Sequence, residues 1–188
     1  MAYWSTRGLR GSALEEQINL TNALYRQKGL AVIQKIPTPI TPVEVDNERH
    51  TISRAYFGMK STVDYIGAAQ GVPVCFDAKE TTRAYLPIQN IHGHQIAFME
   101  EFERQDGVCF LIVSFRAYGE IYYLPFADLK SHWDAAQSGG RKSVPRGLFD
   151  REYIIGSRSG FPVHYLEGLK TYLSRGGTGA QSAGSQSP

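Results

Sequence analysis

Two carboxylates and an ammonium group stand where a β-hairpin would gather them. Thr62-Val63-Asp64-Tyr65-Ile66 is a β-favouring run, Gly67 to Gly71 reads as a turn, and Val72-Pro73-Val74-Cys75-Phe76-Asp77-Ala78-Lys79 reads as a second strand. Strand side chains alternate between faces, so Asp77 and Lys79 project together while Val74, Phe76 and Ala78 fill the opposite side. The hairpin brings Asp64 beside that pair. Two carboxylates and a lysine at a strand end can hold a hard divalent cation and activate a water molecule. The same three side chains on an exposed edge hairpin would simply be solvated.

The elements that must position them are legible on either side. Ser12-Ala13-Leu14-Glu15 is a capping-box pattern that opens a helix running to about Lys28 and ended by Gly29. Leu14, Ile18, Thr21 and Tyr25 form its apolar stripe, with Glu15, Asn19 and Asn22 on a neighbouring polar one. Leu30 to Ile36 reads as a strand. Pro37-Thr38-Pro39-Ile40-Thr41-Pro42 forbids a helix or a central strand, and Val43 to Phe57 continues as an extended, projecting arm. A plain surface loop is the other reading of that stretch. Beyond the hairpin, a helix ends near Gln105 with Ile91, Gln95, Phe98, Met99 and Phe102 inward and Glu100, Glu101, Glu103 and Arg104 outward. Val108–Phe115 and Gly119–Leu124 read as strands, Pro125 starts a helix to about Gln137, and Pro162–Ser174 reads as the last helix. The order α-β-(arm)-β-β-α-β-β-α-α predicts an α/β fold with a mixed sheet.

Composition sets limits. The 188 residues suit one domain, with residues 1–10 as an arm and residues 175–188, rich in Gly, Ser, Gln and Ala, as a disordered tail. No apolar run approaches the ~20 residues that span a bilayer, and Met1-Ala2-Tyr3-Trp4-Ser5 lacks a secretory pattern, so a cytoplasmic protein with no membrane partner is expected. Cys75 and Cys109 lie in apolar strand-like runs and are expected as buried thiols. The net charge is only +2, but residues 61–127 carry four Lys/Arg against eight Asp/Glu, leaving sixteen of the twenty basic residues to the flanks. Basic flanks around an acidic centre suit a polyanion held against a metal site, and scattered solvated cations explain the charge equally well.

Six segments in order resemble the RecU family of Holliday-junction resolvases, within the wider PD-(D/E)xK nuclease group. They are Leu14-Glu15-Glu16-Gln17-Ile18-Asn19, Lys35-Ile36-Pro37-Thr38-Pro39, Ser61-Thr62-Val63-Asp64-Tyr65, Phe76-Asp77-Ala78-Lys79-Glu80-Thr81, His92-Gly93-His94-Gln95-Ile96 and Gly140-Arg141-Lys142-Ser143. The similarity runs from about Gly11 to Leu173. It implies a restriction-endonuclease-like three-layer core over residues 11–174, with residues 37–60 as a stalk between the first two core strands. It further implies a homodimeric, Mg²⁺-dependent endonuclease (Mn²⁺ being the alternative ion) that nicks opposing strands of a four-way DNA junction and leaves 5′-phosphates. Recombinase and branch-migration proteins are the implied partners. One departure matters: the family usually has Glu where this chain has Asp77, a carboxylate one methylene shorter.

The resemblance also assigns roles. Asp64 and Asp77 would ligate the metal, and Lys79 would orient and help deprotonate the attacking water or stabilise the phosphorane charge. Glu15 would be a catalytic, metal-associated third carboxylate, although its helix-capping role already accounts for it. Lys35, Arg49, Arg54 and Lys60 would face DNA, as would Arg141 and Lys142 unless these two are only loop residues in water. Tyr56 and Phe57 would stack on exposed bases or clamp the base of the arm. His92 and His94 lack further ligands for zinc and suit phosphate contact at a helix start, while Gln95 either lines the site or satisfies backbone. Two other classes remain open: a non-catalytic DNA-binding recombination accessory, and a restriction- or repair-type nuclease that cuts ordinary duplex.

Overall fold

The computed structural model describes residues 12–37, 39–57 and 62–177. Helix α1 (Ala13–Gln27) begins where Ser12 Oγ accepts from the Glu15 amide at 3.2 Å. It ends with Gly29 in the left-handed region. Then follow β1 (Ala31–Lys35), β2 (Ile40–Asp46), β3 (Thr51–Phe57), β4 (Tyr65–Ala69), β5 (Val72–Thr81) and β6 (Tyr85–Pro87). The second half comprises α2 (Gly93–Glu103), β7 (Val108–Phe115), β8 (Glu120–Pro125), α3 (Phe126–Gln137), β9 (Ser143–Pro145), β10 (Ile154–Ile155) and α4 (Leu166–Ser174).

Six strands form the main sheet in the order β1-β4-β5-β7-β8-β10. β5 and β7 are parallel, with α2 as their crossover, and the other neighbours pair antiparallel. β7 is buried along its whole length, as its unbroken apolar run requires. On one face Leu14, Ile18 and Tyr25 of α1 and Leu169 of α4 pack on Phe76, Phe110 and Tyr123; on the other, Ile96 and Met99 of α2 and Leu129 of α3 pack on Cys75, Cys109 and Leu111. The result is the mixed α/β layering expected from the order of elements. The first face carries a column of stacked rings across the strands: Tyr65–Phe76 at 4.7 Å, Phe76–Phe110 at 4.7 Å, Phe110–Tyr123 at 4.3 Å and Tyr123–Tyr153 at 5.6 Å between centroids. The two thiols are free and buried, with Sγ atoms 3.2 Å apart on the paired positions Cys75 and Cys109.

Several local expectations are corrected. The β4–β5 turn is Gln70-Gly71 alone, both at positive φ (48° and 89°), which makes a two-residue hairpin. Gly67 lies inside β4 because β1 crosses it closely: a Cβ there would sit 2.0 Å from Val32 O. The last helix starts at Leu166 rather than Pro162, since residues 163–165 are held in place by α1 side chains. Val163 N donates to Thr21 Oγ1 (3.2 Å) and Tyr165 Oη to Asn22 Oδ1 (2.5 Å), while Tyr25 Oη meets His164 Nδ1 at 2.7 Å. Asn22 is therefore buried rather than on a polar stripe. Glu103 is likewise not a freely solvated outer residue, because its Oε1 is buried without a hydrogen-bond partner among the described residues. Arg175 leaves α4 paired with Asp150 and Glu152.

The arm is a two-stranded antiparallel ribbon, β2 with β3, that among the described residues joins neither of the other sheets. Asp46 Oδ1 closes its turn by accepting from the Glu48 and Arg49 amides, each at 3.0 Å. The pairing slips on either side of Glu44, beside Pro42, which has no amide hydrogen to donate to the ladder.

Candidate active site

Register puts the two aspartates together. Tyr65 pairs with Phe76 across the β4–β5 hairpin, so Asp64 and Asp77 lie one step beyond that pair on adjacent strands. Asp64 precedes β4; its carbonyl accepts from Ile36 N at 2.8 Å, and its Oδ2 accepts from Ala78 N at 3.3 Å. Asp77 is wholly buried. Its Oδ2 lies 2.5 Å from Lys79 Nζ and accepts from Gln95 Nε2, also at 2.5 Å. Gln95 Oε1 in turn accepts from the His92 amide at 3.1 Å, which fixes the side chain at the third position of α2. Gln95 thus bridges the Asp77 carboxylate and the backbone at the start of α2.

The electrostatics follow from burial. Desolvation first, then the Asp77 carboxylate beside it, push the Asp64 carboxyl up to about 7, against the opposing pull of Lys79 and the Ala78 amide. Asp77 Oδ1 is buried with no hydrogen-bond partner among the described residues. A buried carboxylate oxygen left without a partner among the described residues, beside a second carboxyl whose pKa is raised by desolvation and by its neighbour, fits a site built around a hard divalent cation, which takes oxygen donors and retains several waters.

Glu15 is paired with Lys35. Its Oε2 is 2.5 Å from Lys35 Nζ, and its amide rather than its carboxylate makes the contact with Ser12. Among the described residues no group of three or more His, Cys, Asp or Glu side chains is arranged to hold a metal ion. Asp64, Asp77, Lys79 and Gln95 are joined by direct contacts.

Residues 9–171 match the family model described as Recombination protein U. The chain is 44% identical over 149 residues to a Holliday junction resolvase RecU of Pediococcus pentosaceus, covering 77% of this chain and 74% of the relative. It is 42% identical over 172 residues to the protein of that name from Levilactobacillus brevis, covering 89% and 86%. A third relative so named, from a Geobacillus species, is 43% identical over 148 residues, covering 77% and 74%. The chain belongs to the RecU family.

The remaining site candidates of this RecU chain scatter over four places. Lys35 pairs with Glu15 beside the site, its Nζ 6.0 Å from the Tyr65 ring centroid. On the ribbon, Arg49 and Arg54 are 3.8 Å from Asp46 and 3.6 Å from Glu44, so their charges are partly compensated. Tyr56 is 61% exposed there. Lys60 and the Phe57 side chain lie outside the described residues. Arg141 and Lys142 are exposed in the loop after α3, where Arg141 Nε donates to Ser143 Oγ at 3.2 Å and the Lys142 carbonyl accepts from Ile88 N at 3.1 Å. His92 and His94 stack at 5.4 Å at the start of α2. Sequence reasoning passed over Glu80. Its Oε1 accepts from Leu14 N at 3.1 Å and its Oε2 lies 3.5 Å from Arg116 Nε, tying α1 to the strand that carries the site. A charged residue at an inward-facing strand position was the available signal.

Proposed function

We propose that this chain is a Holliday-junction resolvase, a divalent-metal-dependent endonuclease that makes paired nicks in four-way DNA junctions during recombination and repair. The observation that carries the reading is the assembled set of Asp64, Asp77, Lys79 and Gln95 on a β4–β5 frame in a chain of this family. Mg²⁺, with Mn²⁺ as a substitute, would be held by Asp64 and Asp77 and would lower the pKa of bound water and offset charge on the phosphate. A third carboxylate from Glu15 requires that it leave Lys35.

The protein's own groups do the rest. Gln95 holds Asp77 Oδ2, so the aspartate presents Oδ1 in a fixed orientation. Lys79, mostly buried and 2.5 Å from Asp77, would hold the attacking water and balance negative charge on the phosphorane. In-line attack by that water with departure of the 3′ oxygen leaves a 5′-phosphate. A homodimer related by a two-fold axis places two such sites on strands of like polarity, and residues 37–60 form the stalk that enters the opening between the four arms. Recombinase and branch-migration proteins are the partners this activity calls for, and the cytoplasm is its location.

The deciding experiment incubates the protein with a synthetic four-way junction or a linear duplex of matched sequence, with Mg²⁺ or a chelator. Symmetric incision of the junction only, dependent on metal and lost in Asp77→Ala, is the expected result. Equal cutting of both substrates would make it a duplex nuclease, and tight binding without incision in any metal would make it an accessory DNA-binding protein.

A further inference from the structure

The acidic centre of the chain has few cations, and their placement is uneven. Of its four Lys/Arg, three (Lys79, Arg83 and Arg116) lie on or just beyond the C-terminal ends of β5 and β7, and only Arg104 sits at the far end of α2. β5 and β7 are the sheet's parallel pair, and in open α/β sheets ligands bind in the crevice outside the carboxyl ends of such strands. A polar cleft of about 300 Å³ opens there, lined by Glu80, Thr81, Thr82, Arg83, Gln89, Asn90 and Arg116 among others. Both arginines are held in place while remaining exposed. Glu80 Oε2 is 3.5 Å from Arg116 Nε, and Arg116 keeps 62% of its side chain accessible. Arg83 donates to Tyr85 Oη at 2.9 Å and lies over the Tyr85 ring.

We infer that this cleft is a phosphodiester-binding subsite, in which Arg116 and Arg83 grip a phosphate of the DNA strand next to the one cleaved at Asp77 and Lys79. Thr81 lies two residue steps beyond Lys79, about 7 Å along β5, so the cleft begins within one nucleotide step of the site. Glu80 orients Arg116 without cancelling it: the carboxylate is mostly buried, and the guanidinium has donors left for an incoming phosphate. Gln89 and Asn90 add neutral donors that suit a phosphate or sugar oxygen. The inference rests on the nuclease reading, since the ligand is the substrate of the same site.

The test measures junction affinity by fluorescence anisotropy in chelator, across a salt series, for the wild type, Arg116→Ala, Arg83→Ala and the exposed Arg104→Ala. Loss of one phosphate contact reduces the slope of log K against log salt by about 0.9 and weakens binding about fivefold near 0.15 M salt. That is the expected result for Arg116→Ala and for Arg83→Ala, with Arg116→Lys recovering the slope and Arg104→Ala unchanged. Circular dichroism and thermal melting establish that each variant is folded; glutamine replaces alanine at any position where the alanine variant is not. Wild-type slopes in both arginine variants, or equal loss in Arg104→Ala, would overturn the subsite while leaving junction cleavage and its Asp77→Ala control standing. Absence of salt-dependent junction binding by the wild type would remove both readings together.

Discussion

Asp64 and Asp77 are held close by backbone register, and neighbouring side chains decide what that proximity does. The Asp64 carboxyl titrates near 7 when folded against 3.8 as its ordinary value. The folded state therefore holds a proton that the unfolded chain has lost, and metal-free protein loses stability as pH rises from about 4 to about 7. Thermal melting in chelator should show this decline, Asp64→Asn should flatten it, and saturating Mg²⁺ at pH 8 should raise the melting temperature of the wild type far more than that of the variant. Gln95 gives a second prediction. Gln95→Ala strips partners from Asp77 Oδ2 and the His92 amide, a loss of about 1–3 kcal/mol in stability. Incision should slow with little change in junction affinity, as single-turnover rates and anisotropy would report. Loss of affinity without loss of rate would assign Gln95 to DNA contact instead.

At the scale of elements, the β4–β5 hairpin depends on a residue that carries no chemistry. Gly67→Ala would drive a methyl group into the β1 backbone, and chemical denaturation should show a cost of about 3 kcal/mol or more. A wild-type unfolding midpoint would mean that β1 can move aside freely. The ribbon behaves oppositely. Among the described residues it shares no ladder with the main sheet, so deleting Val43–Arg54 should leave the melting temperature within a few degrees while abolishing the preference for junction over duplex. The same contrast explains what could be read beforehand. Period-2 alternation places Asp77 and Lys79 on one face, and the prolines exclude residues 37–42 from a core strand; both are local properties of the chain. The start of α4, the burial of Asn22 and the pairing of Glu15 with Lys35 are set by residues distant in sequence, Asn22 and Tyr165 being 143 positions apart. The short β6–β9 and β8–β10 pairings had no periodicity long enough to announce them.

For the whole molecule, paired incision requires two sites acting on one junction. Mixing wild-type and Asp77→Ala subunits should give hybrid dimers that nick a junction once, so nicked junctions should accumulate in proportion to the hybrid fraction on a native gel. Full resolution by the hybrid would mean that one site serves both strands. Coordination of that kind needs each catalytic frame to be stiff, and the stacked column Tyr65–Phe76–Phe110–Tyr123–Tyr153 bears on this directly. Phe76 neighbours Asp77 on β5 and Tyr65 neighbours Asp64 at the start of β4, so the strands cannot slip past one another without unstacking these rings. Near-ultraviolet dichroism, to which these packed rings contribute together with the chain's other aromatic residues, reports whether that packing is intact. A variant whose signal there is intact but whose activity is lost has failed in its chemistry, and one that loses both has lost its frame.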